Sequence, residues 1–322
     1  MNVTKEDVIL AIDLGGTQLR AALIDASGQI LSREATRTDV VGGPDAVIEQ
    51  IAALSQRLLS ARPSSKIICA GISCPGPLDT HEGRTFNLAT LPGYDGFPFA
   101  SRARERLGVP VVLEHDGHAA AYGEWKQGAG RGFDDFIYLT VSTGLGGGAV
   151  VNGRLLRGAG GMAAHVGHMT VVPDGPLCGC GNRGCWELFA SGTSFLARVR
   201  QRADIDHWLG LKEFGREFKS EDVFNAARKG DLFADEMIKI EGEWLGLGIV
   251  SILHLFNPKR IVIGGGMSAN FDLLLPGIEA YIDKNAMAPF RNISIVKAAL
   301  GDNAGLVGVS FLAKETSHRK GQ

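Results

Sequence analysis

The residue types that can do chemistry concentrate between Leu113 and Glu187. Glu114-His115-Asp116-Gly117-His118 sets a carboxylate between two imidazoles, and Ser142-Thr143-Gly144-Leu145-Gly146-Gly147 is a hydroxyl- and glycine-rich turn. His165-Val166-Gly167-His168 then precedes Cys178-Gly-Cys180-Gly-Asn-Arg-Gly-Cys185-Trp-Glu187. Asp116 follows an apolar run and precedes an alanine-rich one, which suits two roles. It can cap the helix, or it can accept a proton from a substrate hydroxyl as a general base. His168, Cys178, Cys180 and Cys185 supply four donors, enough for tetrahedral Zn²⁺, and four protein ligands close the shell, so the ion would be structural. The glycines between the cysteines suit a tight metal loop. Glu187, beside that loop, reads either as a surface charge or as a positioned ligand for substrate hydroxyls.

A second cluster lies near the start of the chain. Asp13-Leu14-Gly15-Gly16-Thr17 combines a carboxylate, two glycines and a hydroxyl after the apolar run Val8–Ile12. Glycines there let backbone N–H groups approach phosphate oxygens, and a carboxylate can hold Mg²⁺ or its waters. Thr143-Gly144-Leu145-Gly146-Gly147 stands at the matching point of a later strand-turn-strand. Neither is a Walker loop, because no Gly-Lys-Ser/Thr follows. Gly264-Gly265-Gly266 follows a third apolar run, Ile261–Ile263.

The elements that must position these residues are legible from periodicity. Residues 8–12, 19–24 and 29–32 read as three strands joined by short turns. Residues 44–59 carry apolar positions at helical spacing, with Pro44 near the first turn. A strand over 66–73, a helix over 100–107 and a strand over 109–113 follow, and the last delivers Asp116. Strands over 135–141, 148–151 and 154–156, with a glycine turn after the first, then repeat the opening pattern. The spacing predicts a largely helical stretch over 191–256, in which Ser220 and Asp231 are candidate N-caps. A strand over 258–263 and a helix over 304–314 complete an α/β architecture built on a duplicated unit.

Composition narrows the function classes. A 322-residue chain with 45% hydrophobic and 21% charged residues is an ordinary globular protein of about two domains. A net charge of -2 gives no electrostatic footprint for nucleic acid. No apolar run approaches a membrane span, and the polar N-terminus lacks a signal-peptide pattern. Three of the five cysteines cluster, which favours metal over disulfides and a reducing, cytoplasmic setting. Cys69 and Cys74, in or after a strand, read as small core residues.

Together these residues resemble the ROK family of repressors and sugar kinases, within the actin/hexokinase/Hsp70 ATPase superfamily. The resemblance runs from about Val8 to Leu312, and Cys-x-Cys-Gly-x-x-Gly-Cys-x-Glu is its most specific string. It implies two duplicated actin-like (ribonuclease H-like) ATPase domains with a cleft between them. Residues 1–117 with about 303–322 would form the smaller, and 118–302 the larger, carrying the zinc loop. Asp13, Gly15, Gly16, Thr17, Thr143, Gly144 and Gly146 match the two phosphate motifs, and Gly264, Gly265 and Gly266 the adenosine side. Asp116 falls at the catalytic base, and His168, Cys178, Cys180 and Cys185 at the zinc ligands. Gly76, Asn87, His115, His118, His165, His168 and Glu187 fall at or near the sugar contacts.

The implied activity is glucokinase-like: ATP- and Mg²⁺-dependent phosphorylation of a hexose-like sugar on its 6-hydroxyl. A cytoplasmic homodimer without nucleic-acid or membrane partners is implied too. The chain departs from the family at His115, His118 and His165, where its kinases usually carry Asn, Asn and Glu. Histidine lacks the paired acceptors of a carboxylate, so the departures point to an unusual sugar, or alternatively to a sugar-binding protein with altered catalysis. The family's repressors are a further class, set aside because their helix-turn-helix domain precedes the first phosphate strand.

Overall fold

The computed structural model describes residues 6–88, 90–202, 205–208, 210–215 and 217–319. The chain divides into two compact units, Met1–Asp134 with Gly148–Ala164 and Ala299–Gln322, and Asp135–Gly147 with His165–Ala298. In chain order the first elements are β1 (Glu6–Leu14), β2 (Gln18–Ile24), β3 (Ile30–Arg37), α1 (Gly43–Ser60) and β4 (Ser65–Cys74). A small ribbon, β5 (Leu78–Asp79) and β6 (Arg84–Thr85), precedes α2 (Phe99–Leu107), β7 (Val111–His115) and α3 (Asp116–Gln127). Next come β8 (Phe136–Val141), β9 (Leu145–Val151), β10 (Arg154–Leu155), α4 (Gly192–Gln201), α5 (Gly210–Phe214) and α6 (Ser220–Arg228). The chain ends with α7 (Leu232–Phe256), β11 (Arg260–Gly264), α8 (Phe271–Asn285), β12 (Ser294–Lys297) and α9 (Ala304–Arg319).

The sheet of the first unit has the order β3-β2-β1-β4-β7. β1, β2 and β3 form an antiparallel meander, while β1, β4 and β7 run parallel. β1 is apolar on both faces because both are covered, and Val8 to Ile12 are all buried. Register fixes what meets at the carboxyl ends of the parallel strands. Asp13 lies opposite Arg20 and Ser73, Ser73 opposite Glu114, and Cys74 opposite His115. α1 covers the sheet with Val47, Ile48, Ile51, Leu54 and Leu58, the stripe its spacing predicts.

The alanine-rich start of α3 is explained by α9. An added Cβ on Gly308 would fall 1.7 Å from the Ala119 carbonyl oxygen, and one on Gly123 2.3 Å from that of Ala304. Only small residues permit so close a crossing. α3 begins earlier than its apolar pattern suggests, at Asp116. His115 is its N-cap and makes no side-chain cap, so the carboxylate sits inside the first turn.

The second sheet has the order β10-β9-β8-β11-β12. By position among its own strands this is third, second, first, fourth, fifth, the order of the first sheet, so the duplication in the sequence is a duplication of fold. β9 passes from one unit to the other between Gly147 and Gly148. In the second unit β11 runs parallel to both β8 and β12. Asp231 caps α7 by accepting the Ala234 amide at 2.8 Å, whereas α6 starts at Ser220 with Lys219 before it as N-cap. Trp186 is fully buried, donates from Nε1 to the Trp244 carbonyl at 2.8 Å, and packs where Gly248 leaves room on α7. Among the described residues no helix is long and apolar enough to cross a membrane.

The end of β7 is locked by a buried charge cluster. Glu114 is 1% exposed, yet it accepts Arg157 Nε at 2.8 Å and faces His118 Nδ1 at 3.1 Å. His118 Nε2 lies 2.7 Å from the Ala163 carbonyl oxygen. Burial pushes the Glu114 carboxyl up, but His118 and the Arg157 guanidinium together hold it below the usual carboxylate range. A carboxyl depressed by folding stabilises the fold above its ordinary pKa, and that contribution is lost as pH falls through the lower folded value. Glu114→Gln should therefore cost about 3 kcal/mol in denaturant unfolding at pH 7, and the gap from wild type should narrow below about pH 4.3. Gly308→Ala should cost about 1–3 kcal/mol by overpacking the α3–α9 crossing; an unchanged unfolding midpoint would contradict the close approach.

Candidate functional site

In the first unit three parallel strands end side by side, and chemistry gathers at that edge. After β1 the chain turns through Gly15, Gly16 and Thr17 into β2. Gly15 donates its amide to the Gln18 carbonyl at 2.9 Å, and Thr38 Oγ1 donates to the Gly15 carbonyl at 2.7 Å. A Cβ on Gly16 would fall 2.7 Å from Thr90 Cβ, so glycine is what lets this turn sit against Thr90. Thr17 is exposed at the tip. Asp13 Oδ2 accepts Arg20 Nη1 at 2.8 Å, and Oδ1 accepts Ser73 Oγ at 3.2 Å. Burial pushes the Asp13 carboxyl above the usual carboxylate range against the pull of Arg20, and the charge of Asp116 adds to the push.

Asp116 stands at the same edge, one residue past the end of β7. Its Oδ1 accepts the Gly117 amide at 2.6 Å and lies 3.2 Å from His115 Nε2. The side chain of Asp116 is 47% exposed while that of His115 is 8% exposed. A carboxylate at the first turn of a helix is favoured there by the aligned amide dipoles, and its exposure leaves it accessible to a ligand. Gly76 is half-buried and joined to Pro77 by a cis peptide, and Asn87 is exposed after β6. His118, expected among the sugar contacts, is 0% exposed, with both ring nitrogens directed at protein acceptors.

In the second unit β8 and β11 also end together. Ser142 donates its amide to the Gly144 carbonyl at 2.9 Å, which closes the turn that carries Thr143. The turn is pinned from α4: the Gly192 amide donates to the Ser142 carbonyl at 2.7 Å and Thr193 Oγ1 to the Thr143 carbonyl at 2.8 Å. Glu187 Oε2 accepts the Leu145 amide at 2.9 Å and lies so close to Gly144 that an added Cβ would come within 2.5 Å of it. Gly146 follows on β9. Gly264 ends β11, and Gly265, at φ +82°, packs where a Cβ would fall 2.5 Å from the Val141 carbonyl. A Cβ on Gly266 would lie 3.6 Å from Ser142 Oγ, so the 264–266 glycines and the 142–147 turn form one surface.

The thiol cluster lies in the same unit. One donor atom each from His168, Cys178, Cys180 and Cys185 falls within 4.8 Å of the others. Cys180 Sγ and Cys185 Sγ are 3.6 Å apart, and Cys178 Sγ is 3.8 Å from His168 Nδ1. A tetrahedral zinc shell would hold such donors about 3.4–3.8 Å apart, so the set fits the ion. Burial, then the neighbouring thiols, push the Cys185 thiol up, whereas the Asn182 amide and the same neighbours bring Cys180 down. A dication held there would relieve that crowding by binding the sulfurs as thiolates. The His165 and His168 rings stack with centroids 6.4 Å apart, and His168 donates its amide to the His165 carbonyl at 3.0 Å. All five cysteines are free thiols, and Cys69 and Cys74 are buried as expected of core residues.

Within the first unit the fold thus gathers Asp13, Gly15, Gly16, His115 and Asp116 at one sheet edge. Within the second it gathers Thr143, Gly144, Glu187 and the 264–266 glycines. Four residues of these sites were not anticipated. Arg20 and Ser73 follow from strand register once the Asp13 hairpin is drawn. Glu114 carries no local signal beyond a charge inside an apolar strand, and Arg157 none, since its contact depends on the path of residues 156–164.

The sequence model of the ROK family matches residues 9–316. A glucokinase of Streptomyces coelicolor is 34% identical over 314 residues, 95% of this chain and 97% of that protein. An N-acetylmannosamine kinase of Escherichia fergusonii is 33% identical over 307 residues, 95% of this chain and 98% of that protein. Among solved structures, a ROK family glucokinase from Streptomyces griseus in complex with glucose and AMPPNP superposes with a TM-score of 0.83 at 34% identity, covering 96% of this chain and 99% of that one. With both sheets in the same strand order and a family match across nearly all of its length, this chain belongs to the ROK family.

Proposed function

We propose that this protein is an ATP-dependent sugar kinase that transfers the γ-phosphoryl group to the primary, 6-position hydroxyl of a hexose-like sugar. The observation that carries the reading is Asp116: a half-exposed carboxylate, held by the Gly117 amide and His115, at the sheet edge that also carries the Asp13 turn. Its similarity to glucokinases across both chains supports the same reaction. An alternative of lost catalysis is not favoured, because one of the three histidines behind it, His118, is turned into the protein.

In this reading Asp116 accepts the hydroxyl proton as the alcohol oxygen attacks phosphorus. The amides of Gly16 and Thr17 in the first turn and of Thr143 and Gly144 in the second donate to phosphate oxygens, and Gly264, Gly265 and Gly266 receive the adenosine. Gly76, Asn87, His115, His165 and His168 contribute to sugar recognition, and His118, with its ring nitrogens on Glu114 and the Ala163 carbonyl, braces the first turn of α3. Glu187 fixes the Leu145 amide and so the shape of the second turn. Asp13, flanked by Arg20 and Ser73, suits the waters of Mg²⁺, which when bound neutralises phosphate charge. Zn²⁺ at His168, Cys178, Cys180 and Cys185 is structural, with no position left for substrate. The protein works as a cytoplasmic homodimer.

Asp116→Asn should lower kcat by about 10²–10⁴-fold, the usual worth of a general base, with zinc content and melting temperature unchanged. A loss below about tenfold would remove Asp116 from its role. Purified protein should hold one zinc per chain by elemental analysis, and Cys185→Ser should lose it. Chelation should destabilise the fold by at least about 2.7 kcal/mol relative to free zinc at 100 times its Kd. Zinc-free protein of unchanged stability would show that the thiol cluster holds no structural ion.

A further inference from the structure

His115 and Asp116 form a pair whose geometry goes beyond a single general base. His115 Nε2 lies 3.2 Å from Asp116 Oδ1, and the ring is nearly buried while the carboxylate is half exposed. The imidazole is therefore the inner wall against which the carboxylate leans. That wall is itself fixed. The His115 ring meets the His118 ring edge-on at a centroid distance of 5.2 Å. His118 cannot rotate without giving up buried contacts to Glu114 and the Ala163 carbonyl, and Glu114 is anchored by Arg157. Titratable groups facing the pair include Glu114 on β7, His118 on α3, and Asp13 and Cys74, which act on or are acted on by Asp116 from β1 and β4.

We infer that His115 is a positioning residue whose charge sets the base strength of Asp116. This rests on the reading of Asp116 as the base. In its neutral form the ring donates Nε2–H to Oδ1, aims the carboxylate and leaves it basic. In its protonated form it donates the same hydrogen bond with a full positive charge, which favours the carboxylate anion and makes it a weaker acceptor. In the reaction the alcohol O–H bond breaks and its proton passes to Asp116. The alcohol oxygen bonds to the γ-phosphorus, and the bond to the β-phosphate oxygen breaks with its electron pair leaving on ADP. Only the first of these events depends on the charge of His115. An uncharged amide at position 115 would hold Asp116 without making the reaction sensitive to pH in the histidine range.

The test is the pH dependence of kcat and kcat/KM for wild type, His115→Asn and Asp116→Asn with ATP, Mg²⁺ and the best hexose from a substrate screen. The wild-type kcat should fall several-fold as pH drops through roughly 6–7, the histidine range. The kcat profile of His115→Asn should lack that inflection at whatever plateau it reaches, the change lying in kcat rather than in KM for ATP, and KM for the sugar is read separately because His115 is also placed at the sugar. Acid limbs that superimpose overturn the inference. A second readout needs no altered histidine: the His115 imidazole resonance should shift its titration midpoint down by about one pH unit in Asp116→Asn, as loss of a neighbouring charge requires. An unchanged midpoint overturns the inference even if His115→Asn fails to fold. Full turnover in Asp116→Asn would instead refute the base itself, so the two failures are distinguishable.

Discussion

The buried carboxylate of Glu114 is the constraint on which the geometry of the first unit turns. An isolated carboxylate in so dry a place would cost several kcal/mol, so the fold must bring a cation and a donor to it. Arg157 and His118 do so, and with them come the segment after β10 and the first turn of α3. Such a cluster is a weak source of net stability, because desolvation offsets most of the attraction. Its effect is positional. Once the end of β7 is fixed, the next residues have one course open to them, and Asp116 emerges half exposed in the first helical turn beside the Asp13 hairpin.

The second unit uses a different brace for the same kind of turn. Cys185, Trp186 and Glu187 are consecutive: the first belongs to the thiol cluster, the second is sunk against α7, and the third holds the Leu145 amide. A fixed thiol loop thereby fixes a glycine turn that α4 pins from its other side. One strand order serves both sheets, yet one turn is steadied by an ion pair from the neighbouring strand and the other by a loop far along the chain. The duplication is therefore of backbone, and the side chains that tune each copy have diverged.

Much of this was legible in the amino-acid order. The hairpin after β1, the stripe on α1, the cap at Asp231 and the repeated strand-turn-strand were all visible, because each depends on local periodicity or on a residue that only one conformation accommodates. The four clustered side chains that could hold a metal were visible for the same reason, since their spacing and glycines are local. What escaped was short or non-local. The ribbon β5–β6 is too brief to show a period, and β12 is a half-buried edge strand without clear alternation. His118 is placed among the sugar contacts by the family resemblance, which has an asparagine at that position. Its orientation is decided by Glu114 on the strand and by Ala163 far along the chain, and only the fold brings these together.

The proposed reaction joins the terminal phosphate of ATP to the 6-oxygen of a hexose. Phosphorus NMR of a reaction containing the wild-type protein, Mg²⁺, ATP and single hexoses addresses it most directly. At least one hexose should yield a phosphomonoester coupled to the C6 protons, in a one-to-one ratio with ADP. ADP and inorganic phosphate without any sugar phosphate, or a phosphate carried on another carbon, would contradict it.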